Sequence, residues 1–249
     1  VKGVILAGGT GSRLEPLTRT INKHLLPVGG YPMVYWPLAT LKELGVAEVL
    51  IVTGGNNIGN FLHQLGDGSE FGMELTYRIQ MSADGIAGAL RTAKSFVGDE
   101  QCIILLGDNV FIPSNNWYMK VQPLMRDVAN RKYAAIITKE VNDPERFGVV
   151  DPNGDGGFTI VEKPSIPPSN KAVTGLYCYP PDVFDVIETL EPSNRGELEI
   201  TDVNNYYCRA NRIHDLHFDG NGFWHDAGTP DSLRTCNNYI YDNNINLSI

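Results

Sequence analysis

The sequence predicts an α/β protein with one domain over residues 1–249, a mixed and mainly parallel twisted sheet flanked by helices in three layers. Three observations predict it. Residues Val4 to Ala7 form a short apolar run that leads straight into glycines, the pattern of a buried strand ending in a tight turn. Ile86, Leu90, Ala93 and Val97 then recur at the spacing of an amphipathic helix opened by Asp84 and Gly85. Finally CIILLGD, residues 102–108, is an apolar run suited to a central strand covered on both faces. It delivers Asp108 to its carboxyl end, the edge where open α/β sheets bind ligands.

The other elements follow in order. Val34, Leu38 and Leu41 predict a helix over 33–44, with Gly45 as its stop, and EVLIVTGG predicts a second buried strand over 48–55. A short helix over 57–65, the turn-rich GDGSEFG of 66–72 and the alternating LTYRIQ of 75–80 come next. The helix begun at Asp84 runs to Gly98. A helix is expected over 117–131, then strands over 134–141, 147–150, 158–163 and 173–179. Further helices are expected over 181–190, 199–210 and 230–243, with a strand or two between 213 and 219. This second half holds more strands than a strict strand and helix alternation would give, hence the expectation of a mixed sheet.

Composition narrows the function. The hydrophobic fraction of 42% supports a sizeable core, while a net charge of -9 argues against nucleic acid or an anionic membrane surface as partner. Cys102, Cys178, Cys208 and Cys236 are widely spaced without a C-x-x-C pair, so reduced thiols are expected rather than a zinc ribbon or disulfide framework. No apolar run approaches the ~20 residues that cross a bilayer, and the amino terminus reads as a core strand rather than a signal peptide. A cytoplasmic protein is the expectation. His214 and His217 lie three apart in an expected strand, on opposite faces, which disfavours shared zinc ligation; with His225 they read as structural or surface histidines.

The loop after the first strand carries the first chemical signal. Gly8, Gly9, Thr10, Gly11 and Ser12 let backbone N–H groups approach an anion, and Arg13 and Lys23 add positive charge, so a polyphosphate ligand is expected. The P-loop pattern fails at Gly11-Ser12-Arg13, and the dinucleotide fingerprint fails at Leu14. Asp108 and Asp226 either cap turns or, facing one cleft, form an oxygen pair suited to Mg2+. Glu162 and Lys163 before Pro164 are either a solvated strand end or ligand groups; Gln80 is either a surface residue or an amide for a pyrimidine edge.

The segment GVILAGGTGSRLEPLT, followed by Lys23 and LLPV, closely resembles the opening of sugar nucleotidyltransferases, in particular those that transfer a thymidylyl group to a hexose phosphate. The resemblance continues in order through GDGSEFG (66–72), LLGDNVF (105–111), DPERFGVV (143–150), VEKP (161–164), AVTGLYCY (172–179), RGELEITDVNNYY (195–207) and FWHDAGTPDSL (223–233). It implies a Rossmann-like fold and transfer of dTMP from dTTP to glucose 1-phosphate, with UTP as the alternative nucleotide and a catalytically silent nucleotide-sugar binding subunit as the alternative role. It implies Mg2+ as cofactor, held by Asp108 and Asp226, with Arg13, Lys23, Asp108 and Lys163 as catalytic residues. By the same resemblance Lys163 binds the sugar phosphate and Glu162 the sugar hydroxyls, while Gly148, Val173 and Gly175 bring backbone close to the sugar. Gln80 and Gly85 read the base, and Leu6, Gly8, Gly9, Thr10, Gly11, Asn109 and Trp224 complete the substrate site. Phe147 stands where relatives often carry Tyr, so no phenol contact is expected there. The family also implies a homo-oligomer and, since the chain stops soon after its last helix, a short form.

Overall fold

The first apolar run becomes a central strand, and the sheet grows outward from it. In the computed structural model, which describes residues 1–55, 58–114, 117–123, 132–152, 157–218 and 221–247, the chain begins with β1 (Lys2–Ala7). A small hairpin of β2 (Pro27–Val28) and β3 (Tyr31–Pro32) follows, then α1 (Tyr35–Glu43), β4 (Glu48–Gly54), α2 (Ile58–Leu65), β5 (Glu74–Gln80), α3 (Gly85–Arg91) and α4 (Lys94–Val97). Next come β6 (Cys102–Leu106), β7 (Asn109–Ile112), the helix α5 over 117–123, β8 (Ala134–Glu140), β9 (Gly148–Pro152), β10 (Phe158–Glu162) and β11 (Lys171–Tyr179). The chain ends with α6 (Val183–Glu188), α7 (Ile200–Arg209), β12 (Ile213–His217), β13 (Phe223–Asp226) and α8 (Pro230–Asp242).

The main sheet has nine strands, ordered β10-β9-β11-β6-β1-β4-β5, with β8 also on β11 and β12 beyond β8. Strands β6, β1, β4 and β5 run parallel, and β11 is antiparallel to β6, β8 and β9. Successive side chains of a strand point to opposite faces, so β1 feeds two cores at once. Val4 and Leu6 pack on one face with Leu90, Val97, Ile187 and Val203; Ile5 and Ala7 pack on the other with Leu38, Leu41 and Phe61. Each of the larger side chains among them contributes about 1.5–3 kcal/mol on burial, and Ala7 less. A third cluster, Leu14, Val28, Met33, Trp36, Cys236 and Ile240 among its members, seats α8 against the amino-terminal loop. All four cysteines are buried and free. No helix among the described residues is long and apolar enough to cross a membrane.

Most expected elements are present, and three features stand apart. The helix expected over 85–98 is broken into α3 and α4 because the Arg78 guanidinium takes the Thr92 carbonyl (2.6 Å), while the Thr92 hydroxyl donates to Ala89 O (2.7 Å). The helix expected over 117–131 is present over 117–123, and its remainder, like residue 57 of the helix expected over 57–65, lies outside the described residues. The third is the antiparallel pair β7 and β13, which aligns Asn109 with Asp226; its strands are too far apart in sequence to leave a local pattern.

β11 opens the site. Its carboxyl-terminal half pairs with β6 through Leu176–Tyr179, and its amino-terminal half meets β9 at Ala172, so the sheet splits between them. Val173, Thr174 and Gly175 line the resulting gap, beside the carboxyl ends of β1, β5 and β6.

Candidate active site

The gap widens into a cavity of about 670 Å³. One wall is the loop after β1. A Cβ on Gly8 would stand 2.7 Å from Gln80 Oε1, and one on Gly9 would stand 3.1 Å from Lys23 Cε, so both positions need glycine for their neighbours to reach the cavity. Leu6, Thr10, Arg13 and Lys23 join this wall. Gly11 does not: at φ 70 it makes the turn, packed on Thr18, and is absent from the cavity lining.

Asp108 and Asp226 lie at the centre. Asp108 follows β6 and Asp226 ends β13, and the β7 pairing with the Ala227 N–H to Asp108 O bond (2.8 Å) holds the two turns together. Lys23 Nζ donates to Asp108 Oδ2 (2.5 Å) and Asn109 Nδ2 to its Oδ1 (3.1 Å). Asp226 accepts from the Gly228 N–H at Oδ1 (2.6 Å) and from Arg146 at Oδ2 (3.3 Å). The place a Gly228 Cβ would occupy lies 2.7 Å from Asp226 Oδ1, 3.2 Å from Arg13 Nη2 and 3.3 Å from Asp108 Oδ2, so this glycine lets three ionic groups meet. Burial raises the proton affinity of both carboxyls, but at Asp108 the Lys23 ammonium and neighbouring hydrogen bonds outweigh it and hold the group well below the usual carboxylate range. At Asp226 burial and the Asp108 charge together push the carboxyl up. Two carboxylates sharing a cavity, one made less acidic by the other, are a donor set that fits a divalent cation.

His24, between Lys23 and the core, is pulled down to about 3 by burial and then by the Lys23 charge, against Asp108; its Nδ1 bonds Asn22 Oδ1 (2.7 Å). A histidine whose folded-state value is depressed contributes stability above its unfolded value near 6.5, and that stability falls with pH toward the folded value. Thermal midpoints measured between pH 7.5 and 5 are expected to drop on acidification, by the equivalent of roughly 2 kcal/mol across that range, and to drop less in His24→Gln. Equal slopes for the two proteins would show that His24 titrates normally.

The opposite wall carries Glu162 and Lys163, with Gly148 from β9 beside them. Glu162 Oε2 accepts from Thr201 Oγ1 (2.5 Å), and its Oε1 lies 3.3 Å from Lys163 Nζ and 3.4 Å from Arg195 Nη2. Lys163 adopts φ 41, the left-handed region, and its N–H donates to Phe147 O (3.0 Å). Gly175 N–H donates to Asn109 Oδ1 (3.0 Å), which also takes the Trp224 indole N–H (2.8 Å). Phe147 packs on Trp224 at 5.3 Å, with the Arg146 guanidinium over its ring at 5.2 Å.

At the other end Gln80 and Gly85 line an apolar slot with Leu6, Ile86, Ala89 and Leu106. Gly85 has φ 90, and a Cβ there would lie 2.5 Å from Leu198 O. The cavity thus brings together all the expected site residues except Gly11. It adds Arg146, Arg195, Glu199 and Tyr177, which the sequence reading assigned no role. Arg146 and Arg195 lie inside the DPERFGVV and RGELEI segments, so the segments could have flagged them; single charged residues in loops gave no signal of their own.

The family model described as nucleotidyl transferase matches residues 2–243. A glucose-1-phosphate thymidylyltransferase of Neisseria meningitidis is 40% identical over 242 residues, 96% of this chain and 82% of that protein. One of Xanthomonas campestris is 42% identical over 243 residues, 96% of this chain and 80% of that one. A solved structure of a Bacillus anthracis protein, assigned as a glucose-1-phosphate thymidylyltransferase and holding sucrose, superimposes with a TM-score of 0.90 at 44% identity, over 100% of this chain and 97% of that one.

Proposed function

Because the chain belongs to the nucleotidyl transferase family, we propose that it transfers a thymidylyl group from dTTP to glucose 1-phosphate and releases pyrophosphate. The observation that carries this reading is the convergence of Arg13, Lys23, Asp108, Lys163 and Asp226 on one cavity that Gln80, Gly85 and apolar side chains also line. A phosphate oxygen of the sugar phosphate attacks the α-phosphorus, the bond from that phosphorus to the bridging oxygen breaks, and pyrophosphate departs with the electron pair. The nucleophile is already anionic near neutral pH, so no base is required. What the protein must supply is alignment of two mutually repelling anions and neutralisation of charge on the phosphates.

Lys163 and the neighbouring Arg195 hold the sugar phosphate, while Glu162 and the backbone of Gly148, Val173 and Gly175 face its hydroxyls. Arg13 and Lys23 face the triphosphate beside the glycines of the first loop. Asp108 and Asp226 would hold Mg2+, which when bound neutralises phosphate charge and orients the reacting groups. Phe147 offers a ring in place of a phenol, and it packs on Trp224 at the sugar end.

A pyrophosphate-release assay that pairs several sugar 1-phosphates with dTTP and UTP tests the reading. Glucose 1-phosphate with dTTP is expected to be turned over. A thymine methyl is worth about 0.8 kcal/mol on burial, so dTTP should lead UTP by only about fourfold from this source. No release with any pair would leave a binding subunit in its place.

A further inference from the structure

Gln80 sits at the base end of the cavity, and its amide could face a ligand either way round. What fixes it is Asp84, four residues on, at the start of α3. Asp84 Oδ1 accepts from Gln80 Nε2 (2.8 Å), and Oδ2 accepts from Arg91 Nη2 (2.9 Å). An ionised carboxylate only accepts, so whichever amide atom touches it must be the nitrogen. The carboxylate is itself locked in place: a Cβ on Gly88 would lie 2.3 Å from Asp84 Cγ, and Asp84 O accepts the Leu198 N–H (2.8 Å). Gln80 Oε1 is therefore turned to the Gly8 wall, 2.7 Å from where a Gly8 Cβ would be.

We propose that Asp84 is a positioning residue that sets which pyrimidine the enzyme accepts, by forcing Gln80 to present its carbonyl oxygen to the base. This deepens the proposed function and rests on that reading of the cavity. A base with an N–H at ring position 3, uracil or thymine, donates to that oxygen. Cytosine carries a bare nitrogen there, so two acceptors face each other, and a site built around one hydrogen-bond sense rejects a ligand of the opposite sense. Arg91 keeps the carboxylate aimed. The thymine methyl plays no part in this choice.

The test uses dUDP and dCDP, which differ only in the hydrogen-bonding edge, titrated calorimetrically into wild type, Asp84→Asn, Gln80→Met and the double variant. Wild type is expected to prefer dUDP by about tenfold or more. In Asp84→Asn, which fills the same space but can donate as well as accept, the preference should fall to about threefold or less, partly through a gain for dCDP. In the Gln80→Met background the Asn substitution should leave the ratio unmoved. A merely structural role for Asp84 would weaken both nucleotides alike. Wild-type indifference to the two, an unchanged ratio in Asp84→Asn, or the same change with and without Gln80 would overturn the proposal. Should Asp84→Asn fail to fold, Arg91→Met on the helix surface should lower the ratio by a smaller factor, and an unchanged ratio there overturns it. A wild type that binds neither nucleotide and releases no pyrophosphate would sink the cavity reading itself; intact binding and turnover with an unmoved ratio would sink only the role of Asp84.

Discussion

Exchange of Asp226 for asparagine is expected to cut turnover at limiting magnesium by about 10²–10⁴-fold, because a bound metal supplies several kcal/mol to the transfer and each 1.36 kcal/mol is tenfold. Asparagine keeps the size of the side chain and an oxygen for the Gly228 N–H, and Arg146 keeps its bond to Asp143 (2.7 Å). What disappears is the negative charge opposite Asp108. The same change should not weaken the fold in metal-free buffer. Burial and the charge of Asp108 push the Asp226 carboxyl up, so the folded state holds that proton more tightly than the unfolded one. Stability from such a group is present at low pH and is lost as pH rises through the folded-state value. An uncharged amide escapes that loss. Thermal midpoints in EDTA should therefore match or exceed wild type near pH 7.5, and added Mg2+ should raise the wild-type midpoint while leaving the variant unmoved. Turnover within threefold of wild type at limiting magnesium would remove the metal role, and a midpoint several degrees lower in EDTA would assign Asp226 to the fold instead.

Lys163 permits a sharper comparison, between Lys163→Ala and Lys163→Gly. Both remove the ammonium, so both should lose about 1.5–3 kcal/mol of transition-state stabilisation, roughly 10- to 150-fold in kcat/KM. They should differ in stability. At φ 41 an alanine keeps the left-handed strain, worth about 1–2 kcal/mol in an L-residue, whereas glycine does not. Part of that gain returns to the more flexible unfolded chain, which leaves glycine ahead by about 1 kcal/mol. Denaturation midpoints and initial rates on the two proteins decide it. Equal stabilities would show that the segment following β10 relaxes around Ala, and near-wild-type rates would remove Lys163 from phosphate binding.

The strain at Lys163 also marks the limit of what the letters carry. Nothing in VEKP announces a left-handed lysine; its N–H is captured by Phe147 O where the chain enters β9 and leaves β10, a contact between residues sixteen apart. The helix over 85–98 reads as continuous for the same reason: the Arg78 side chain that takes the Thr92 carbonyl comes from a neighbouring strand. Gly11 illustrates the converse. Its place in the glycine run suggests a phosphate contact; in the structure it lies outside the cavity lining, and its φ of 70 makes the turn that follows Gly8 and Gly9.

Strands and helices with a local periodicity, the glycine loop, and the identity of the charged groups that the loop and the matching segments single out are legible in the letters. That these groups share a cavity emerges from the folded chain alone. Their meeting depends on hydrogen bonds between residues far apart in the chain: Asn109 opposite Asp226 on β7 and β13, the fork of β11 between β6 and β9, and the bond from Gly175 to Asn109. Such pairings are set by the burial of whole sheets and helices, and they leave no mark on the spacing of neighbouring residues.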